Sequence, residues 1–340
     1  MPVLEVEHLS VTFGSGPDAV KAVEDVSFEL APGQTLALVG ESGSGKSVTA
    51  LAIMRLLPQH NSTVTGSIVF DGKDVLKLRR GELQKVRGNR IAMIYQDPMT
   101  ALNPSMTVGA QIIETMRSHG IGTRADRRER AAELLAQVGL PDARARVDAY
   151  PHQLSGGMRQ RVMIAMALAC EPDIILADEI TTALDVTVQA QILELLAHLS
   201  KERGVAVIFI THNLAVVARI GDVVQVMYAG QVVERASTSE LLNHPMVPYT
   251  VGLLGSTPRL DEDRSDRLST IPGEPPNPRR RPPGCRFATR CRFHRELCDA
   301  ELPPLVQAAE ADVPHEVRCW GLVPGDGTGW LIEEKAGELA

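Results

Sequence analysis

Hydrophobic and polar positions along the chain follow two different spacings. In residues 1–30, apolar side chains such as Leu4, Val6 and Phe28 recur between polar ones, which predicts strands of an antiparallel edge. Further on, short apolar runs predict buried strands at 35–39, 66–70, 174–177, 205–210 and 223–228. Helical spacing predicts helices at 47–57, 107–140, 155–169, 188–199 and 214–220. Strands that alternate with helices pair in parallel through crossovers, so the predicted fold class is α/β.

The sequence changes character after about residue 257. Six prolines between positions 272 and 283 surround the arginine run 279–281, and proline at this density predicts an extended connector. The arginine run is interpreted as a solvated linker, with a phosphate or lipid-headgroup site as the alternative. We therefore predict a large domain over 1–257, a connector over 258–284, a cysteine-rich extension over 285–325 and a tail over 326–340.

Composition excludes several classes of protein. Of 340 residues, 44% are hydrophobic and 23% charged, which is enough apolar material for a sizeable core. The net charge of −7 and the aromatic content of 4% argue against a nucleic-acid partner, which requires clustered cations and stacking rings. The sequence has neither a signal-peptide pattern at its N-terminus nor an apolar run of membrane-spanning length, so we expect a cytoplasmic chain.

Residues 40–47 read Gly-Glu-Ser-Gly-Ser-Gly-Lys-Ser and connect a predicted strand to a predicted helix. This pattern indicates a phosphate-binding loop, in which glycines allow backbone N–H groups to face the phosphates of ATP. Lys46 is expected to reach the β- and γ-phosphates, and the Ser47 hydroxyl to bind Mg²⁺. The predicted ATP-binding residues of this segment are Gly40, Ser42, Gly43, Ser44, Gly45, Lys46, Ser47 and Thr49.

Polar residues at the ends of two other predicted strands could supply the groups that ATP hydrolysis needs beyond the phosphate loop. Asp178 and Glu179 end the apolar run 174–177, where one carboxylate can hold Mg²⁺ and the other can deprotonate the attacking water. His212 follows the strand 205–210, and we predict that it lies beside the γ-phosphate.

A second glycine-rich helix start comprises Ser155, Gly156 and Gly157, with Gln160 one turn on. One ATP does not need two such phosphate receptors, so this one is predicted to complete the ATP site of another subunit.

These motifs resemble those of the ATP-binding subunits of ABC transporters. The loop 40–47 resembles Walker A, 174–178 Walker B and 154–158 the signature loop. Glu179 matches the catalytic glutamate and His212 the switch histidine. Gln96 matches the Q-loop glutamine, a further Mg²⁺ contact, and Asp185 the D-loop aspartate. Phe13 stands where the family places a ring under adenine. The resemblance implies a P-loop nucleotide-binding domain whose mixed-sheet core carries an antiparallel β subdomain and a helical subdomain at about 97–165.

The segment 96–104, the segment 178–189 and the proline- and cysteine-rich extension resemble the ATPases of dipeptide, oligopeptide and nickel importers. The resemblance implies a type I importer with a second, paralogous ATP-binding subunit, two transmembrane permease subunits and an extracytoplasmic substrate-binding protein. The chain would then lie peripherally on the cytoplasmic face of the inner membrane.

Other functions are weighed against peptide import. A nickel or other solute importer stays open, and so does a poorly hydrolysing regulatory subunit. The hypothesis of a regulatory subunit rests on Ile180 and Asn213, which replace the family's usual proline and aspartate. A soluble ABC ATPase of translation or DNA repair is disfavoured because the chain has one phosphate loop and no long coiled coil. The peptide-importer-like extension disfavours an exporter.

Four of the five cysteines lie in the extension: Cys285, Cys291, Cys298 and Cys319, separated by five, six and twenty residues. Four thiolates can bind zinc or an iron–sulfur cluster, whereas unrelated buried cysteines are the plain alternative. A short segment with little core of its own needs a staple, which favours a metal site. The resemblance implies a [4Fe-4S] cluster, with zinc as the alternative. His294 and His315 are spare candidate ligands, and Cys170 is predicted to belong to the core.

Overall fold

The computed structural model describes residues 1–181, 184–256, 271–308, 311, 313–324, 328–329 and 331. These residues form two compact units. The first unit comprises Met1–Glu5, Glu29–Thr35 and Val69–Ile210. The second comprises Val6–Phe28, Leu36–Ile68 and the described residues from Thr211 onward. Part of the predicted connector, residues 258–270, and nearly all of the predicted tail lie outside the described residues.

The strands follow the apolar runs of the sequence closely. They are β1 (Leu4–Phe13), β2 (Val20–Leu30), β3 (Thr35–Val39), β4 (Ser62–Phe70), β5 (Lys73–Asp74), β6 (Ile91–Ile94), β7 (Ile174–Asp178), β8 (Ala206–Thr211), β9 (Val223–Tyr228), β10 (Gln231–Ser237), β11 (Val306–Gln307) and β12 (His315–Val317). β3 and β9 have the predicted bounds, whereas β5, β6, β10, β11 and β12 were not predicted.

Each of the five predicted helical regions contains at least one helix. The helices are α1 (Lys46–Ile53), α2 (Arg80–Val86), α3 (Pro98–Ala101), α4 (Val108–Ser118), α5 (Arg124–Gln137), α6 (Ala143–Arg146), α7 (Gly156–Leu168), α8 (Val186–Arg203), α9 (Leu214–Ile220), α10 (Thr238–Asn243), α11 (Pro248–Gly255) and α12 (Leu297–Ala300). Of these, α2, α3, α6, α10, α11 and α12 were not predicted. The region 107–140 is two helices rather than one, because Gly120 and Gly122 adopt positive φ angles between them.

The first unit is built on parallel strands. β6 pairs with β7, and β7 with β8, both in parallel. Every residue of β7 and β8 is buried, as expected for parallel strands covered on both faces. Helices α3 to α7 lie between β6 and β7 in the chain and pack on one another, with α5 contacting α4, α6 and α7. The chain therefore leaves the sheet after β6 for a helical excursion and returns to it at β7.

The second unit contains a mixed sheet. β3 and β9 are parallel, β9 and β10 form an antiparallel hairpin, and β12 pairs antiparallel with both β10 and β11. The predicted combination of mixed sheet and helices is thus confirmed. β1, β2 and β4 are hydrogen-bonded to one another in the order β2-β1-β4.

Several described residues from 285 onward share a hydrophobic core with β9, β10 and α11. Tyr228, Tyr249 and Phe287 meet as an aromatic trio, with ring centroids 4.5 to 5.4 Å apart. Cys298 and Val317 are buried in the same core. The expectation that this segment has little core is therefore wrong, because it adds its apolar side chains to a core that the earlier strands begin.

The arginine run is solvated only in part. Arg279 and Arg280 are exposed, as predicted, but the Arg281 side chain is only 9% exposed. Its Nη1 lies 3.7 Å from a carboxylate oxygen of Glu24. Among the described residues, no helix is long and apolar enough to cross a membrane.

Two glycines at the second position of a helix provide a matched test of packing in the first unit. A Cβ at Gly109 of α4 would overlap the Val147 side chain and lie 2.6 Å from its carbonyl oxygen, whereas a Cβ at Gly81 of α2 meets nothing within 4 Å. We expect Gly109→Ala to lower the free energy of unfolding by about 1–3 kcal/mol through overpacking. Gly81→Ala should leave it unchanged or raise it by about 0.5–1 kcal/mol, because alanine favours helix. Thermal unfolding of both variants tests this, and equal melting temperatures would contradict it.

Candidate nucleotide-binding site

The phosphate loop joins β3 to α1, as the sequence predicts. Gly45 caps α1 with a φ of 105°, in the left-handed region, and a Cβ there would lie 2.8 Å from the carbonyl oxygen of Ala22. A Cβ at Gly40 would overlap the carbonyl oxygen of Met227. Glycine is therefore required at both ends of the loop by the close approach of other backbone segments.

Side chains inside the loop hold its shape. The buried ammonium group of Lys46 donates to the carbonyl oxygens of Gly40 at 2.7 Å and Glu41 at 2.9 Å. The Thr49 hydroxyl donates to the Gly45 carbonyl at 3.0 Å, so this predicted ATP-binding side chain also stabilises the first turn of α1. Ser44 is buried and Ser47 half-buried, whereas Ser42 and Gly43 are exposed at the tip of the loop.

Glu41 is attached to residues far away in the sequence. Its backbone N–H donates to the Tyr249 hydroxyl at 2.9 Å. Its carboxylate accepts two hydrogen bonds from the Arg290 guanidinium, at 2.8 and 3.0 Å. Burial lowers the pKa of Arg290, but its hydrogen bonds to Glu41 and Tyr228 raise it by more, so the net shift is upward. Sequence reasoning missed Glu41, Tyr249 and Arg290, because no local pattern signals a contact across more than 200 residues.

The two predicted carboxylates end β7 in the first unit. Asp178 is buried as the last residue of the strand, and Glu179 follows with a φ of 46°, a left-handed conformation that is uncommon outside glycine. The Glu179 N–H donates to the carbonyl oxygen of Ile210 at 3.0 Å. Gln96 Nε2 donates to Glu179 Oε2 at 3.3 Å, so the structure brings these two predicted catalytic side chains together.

The predicted signature residues open α7 in the same unit. Ser155 is the N-cap, and its hydroxyl oxygen accepts the Met158 N–H at 3.4 Å. Ser155 and Gly156 are exposed, Gly157 is half-buried, and Gln160 is buried. A helix start of this kind presents free N–H groups to an anion.

The other predicted residues also lie at ends of strands and helices. Asp185, the predicted D-loop aspartate, caps α8, with its carboxylate accepting the Val188 N–H at 2.9 Å. Residues 182 and 183, shortly before it, lie outside the described residues. His212 is exposed directly after β8, and the Asn213 side chain caps α9 by accepting the Ala215 N–H. Phe13 is half-buried at the end of β1.

Comparison with known proteins identifies the family. The model of the ABC transporter family matches residues 23–182, and the model of the oligopeptide/dipeptide transporter C-terminal region matches residues 233–298. A putative peptide import ATP-binding protein of Brucella melitensis is 54% identical over 298 residues, which is 87% of this chain and 89% of that protein. The chain belongs to the ABC transporter family.

Other members of the ABC family are also similar to this chain. The dipeptide transport ATP-binding protein DppD of Bacillus subtilis is 50% identical, with 94% of each chain covered. A solved ATP-binding cassette, a dimer in a post-hydrolysis state bound to ADP and phosphate, has a TM-score of 0.62 and 30% identity. The match covers 69% of this chain and 98% of that one. The C-terminal family model reaches Cys285, Cys291 and Cys298 and ends before Cys319.

The four C-terminal cysteines of this ABC protein line one apolar cavity, together with Arg286 and Arg318. Burial raises the pKa of Cys285 to about 11 and that of Cys319 to about 12. Cys170 is buried elsewhere, in agreement with its predicted place in the core. In the described part of the chain, no group of three or more His, Cys, Asp or Glu side chains is arranged to hold a metal ion, so the structure does not support the expected metal site.

Neither histidine proposed as a spare ligand is directed at this cavity. His294 Nε2 lies 2.8 Å from a carboxylate oxygen of Asp299 on the surface. His315 and Glu234 are fully buried and also 2.8 Å apart, while His315 Nδ1 lies 3.5 Å from Glu240. Burial lowers the pKa of His315, but the hydrogen bond and charge of Glu234, with a smaller part from Glu240, raise it above its ordinary value of 6.5.

The buried His315–Glu234 pair predicts a pH dependence of stability. Because the pKa of His315 is raised on folding, its contribution is fully present below about pH 6.5 and is lost as the pH rises through the folded value. We expect His315→Gln to remove that part of the decline in unfolding free energy above pH 6.5. His294→Gln, which breaks an exposed pair of the same length, should leave the profile unchanged. Denaturant unfolding from pH 5 to 9 measures both variants, and parallel profiles for wild type and His315→Gln would rule the explanation out.

Proposed function

We propose that this chain is the ATP-hydrolysing subunit of an importer for dipeptides or oligopeptides. The observation that carries the proposal is the presence of two matches in one chain, an ABC transporter match over the phosphate loop and an oligopeptide/dipeptide match over the C-terminal region. Relatives named as peptide import and dipeptide transport ATP-binding proteins support the same substrate class. The chain would act peripherally at the cytoplasmic face of the membrane, with a second ATP-binding subunit, two permeases and a substrate-binding protein.

In the proposed mechanism, the phosphate loop binds ATP and Phe13 stacks on adenine. Lys46 contacts the β- and γ-phosphates, while Ser47, Gln96 and Asp178 hold Mg²⁺. Glu179 accepts a proton from water as the water oxygen bonds to the γ-phosphorus. The bond to the bridging oxygen breaks, which gives ADP and phosphate.

The proposed mechanism also involves a partner subunit, with each ATP bound at the interface of a dimer. Ser155, Gly156 and Gly157 would contact ATP on the partner, with Gln160 and Asp185 in the same interface and His212 beside the γ-phosphate. The exposed N-cap of α7 supports this role for Ser155, because its helix start presents N–H groups to an anion. The dimeric form of a similar solved cassette also supports it.

Removal of the proposed base tests hydrolysis. We expect Glu179→Gln, assembled with its partners, to retain ATP while turnover falls by roughly two to four orders of magnitude, the usual contribution of general-base catalysis. Glu171→Gln is the matched control, because Glu171 is also a glutamate with positive φ but is exposed, and among the described residues its carboxylate pairs only with Arg130, at 2.8 Å. Phosphate release and nucleotide retention are measured together. Normal turnover by Glu179→Gln from this site would overturn the assignment.

We also propose that the four C-terminal cysteines hold a [4Fe-4S] cluster, with zinc as the alternative. Two features fit an anionic metal–thiolate group. All four cysteines line the same cavity, and four thiolates are the usual ligand set of a [4Fe-4S] cluster. Arg286, which lines the cavity, and Arg281 share one carboxylate, that of Glu24, so two positive charges are paired with one negative charge beside the cysteines. When bound, the cluster would cross-link the extension covalently.

Metal content decides between these proposals. Protein purified without oxygen should contain about four iron atoms and four sulfides per chain. Cys319→Ser should lose them, whereas Cys170→Ser, which alters a buried cysteine outside the cavity, should retain them. Zinc alone would select the alternative, and the absence of both metals in the wild type would refute a metal site.

A further inference from the structure

Glu41 places a negative charge in a loop that is expected to bind phosphate. It is the second residue of the phosphate loop, and its carboxylate has the same sign of charge as the phosphates of ATP. Like charges at close range weaken binding unless one of them is compensated. The chain compensates Glu41 with a side chain 249 residues away, Arg290, which lies in the cysteine-rich extension.

We infer that Arg290 neutralises and positions Glu41, so that the C-terminal extension sets the affinity of the phosphate loop for ATP. Arg290 is a positioning residue, since it acts on the loop through Glu41. The inference rests on the proposed function, because it takes ATP as the ligand of the loop.

The geometry of the pair suits this role. Both terminal nitrogens of Arg290 donate to the two carboxylate oxygens of Glu41, the bidentate arrangement that gives the strongest pairing between these groups. The Arg290 side chain is 4% exposed and that of Glu41 24%, so solvent screens their interaction only in part. A lysine at this position would supply the positive charge but not the two parallel N–H donors of a guanidinium group.

Arg290 is itself fixed from several directions. Its Nε donates to the carbonyl oxygen of Pro272 at 2.9 Å, and Nη1 donates to the Tyr228 hydroxyl at 3.2 Å. Its guanidinium lies 5.8 Å from the ring centroids of Tyr228 and Phe287. These contacts hold Arg290 in place without ATP, so its charge is available to Glu41 before the nucleotide arrives.

Tyr249 fixes the backbone of the same residue. Its hydroxyl accepts the N–H of Glu41, while the Glu41 carbonyl accepts from Lys46 Nζ. Glu41 is thus attached through its backbone N–H, its carbonyl and its side chain. A displacement of Glu41 would therefore move an acceptor of Lys46, the lysine proposed to contact the phosphates.

The test is a charge-rescue experiment on the full chain. Binding of a non-hydrolysable ATP analogue with Mg²⁺ is measured by calorimetry for wild type, Arg290→Met, Glu41→Gln and the double variant. We expect Arg290→Met to weaken binding about tenfold, equivalent to ~1.4 kcal/mol. We expect the double variant to return to within about threefold of wild type, because no uncompensated carboxylate then remains near the phosphates. The defect of Arg290→Met should also shrink as salt is raised.

Controls separate the effect of charge from a loss of folding. Arg280→Gln changes an exposed arginine of the preceding segment and should bind like the wild type. Thermal unfolding shows whether each variant is folded at the assay temperature. If Arg290→Met is unfolded at that temperature, Arg290→Lys replaces it. We expect Arg290→Lys to weaken binding of the analogue about threefold, because lysine keeps the positive charge but lacks the two parallel donors.

Each outcome decides a separate question. A wild-type chain that does not bind the analogue contradicts the proposed function itself. Wild-type affinity in a folded Arg290→Met variant contradicts this inference alone. An affinity loss that Glu41→Gln fails to rescue would mean that Arg290 supports the fold without acting on the charge of Glu41.

Discussion

A loop that binds phosphate must keep a fixed shape without using the N–H groups that it offers to the ligand. In this chain, the fixing contacts come from other parts of the second unit. Ser44 accepts a hydrogen bond from the Gly230 N–H through its carbonyl oxygen, and Met227 packs its own carbonyl against Gly40. Apart from the Glu41 N–H, which donates to Tyr249, these contacts use carbonyl oxygens, side chains and the close approach of glycine Cα atoms rather than the amides of Ser42 and Gly43 at the exposed tip. The hairpin of β9 and β10, which supplies Met227 and Gly230, is part of the site for this reason.

Local sequence patterns predict the elements that depend on local physics. β3, α9 and β9 have the predicted bounds, because apolar runs there are bounded by glycine or polar residues. β10 was missed because Glu234 interrupts its apolar pattern and is nevertheless fully buried. Its carboxylate accepts the N–H groups of Met246 and Val247 and contacts His315. The buried carboxylate therefore has partners 12, 13 and 81 positions away, and no short window along the sequence contains that information.

The candidate site likewise contains features that local motifs predict and features that depend on residues distant in the sequence. Motif spacing was sufficient to predict the phosphate loop, the carboxylates after β7 and the cap of α7, because each depends on a single strand, turn or helix start. The contribution of the C-terminal extension was not predictable, since Arg290 and Tyr249 lie in ordinary surroundings in the sequence. The extension was expected to have little core of its own and to be held together by a metal site. Its apolar side chains instead pack into the core that β9, β10 and α11 form. Two of its arginines, Arg286 and Arg290, form ion pairs with Glu24 and Glu41. The extension is therefore part of the fold that shapes the phosphate loop.

The two departures from the family pattern preserve the local chemistry that hydrolysis needs. Asn213 caps α9 with a side-chain oxygen, as an aspartate would, so the start of that helix after His212 is unchanged in kind. A proline at position 180 would restrict the backbone of the preceding residue toward extended conformations. Glu179 instead has a φ of 46°, and Ile180, which is 2% exposed, places no such restriction on it. The substitution changes which backbone conformations Glu179 can adopt and leaves its carboxylate in contact with Gln96. A regulatory subunit that does not hydrolyse ATP would have lost a side chain that takes part in the reaction. Neither Ile180 nor Asn213 replaces such a side chain.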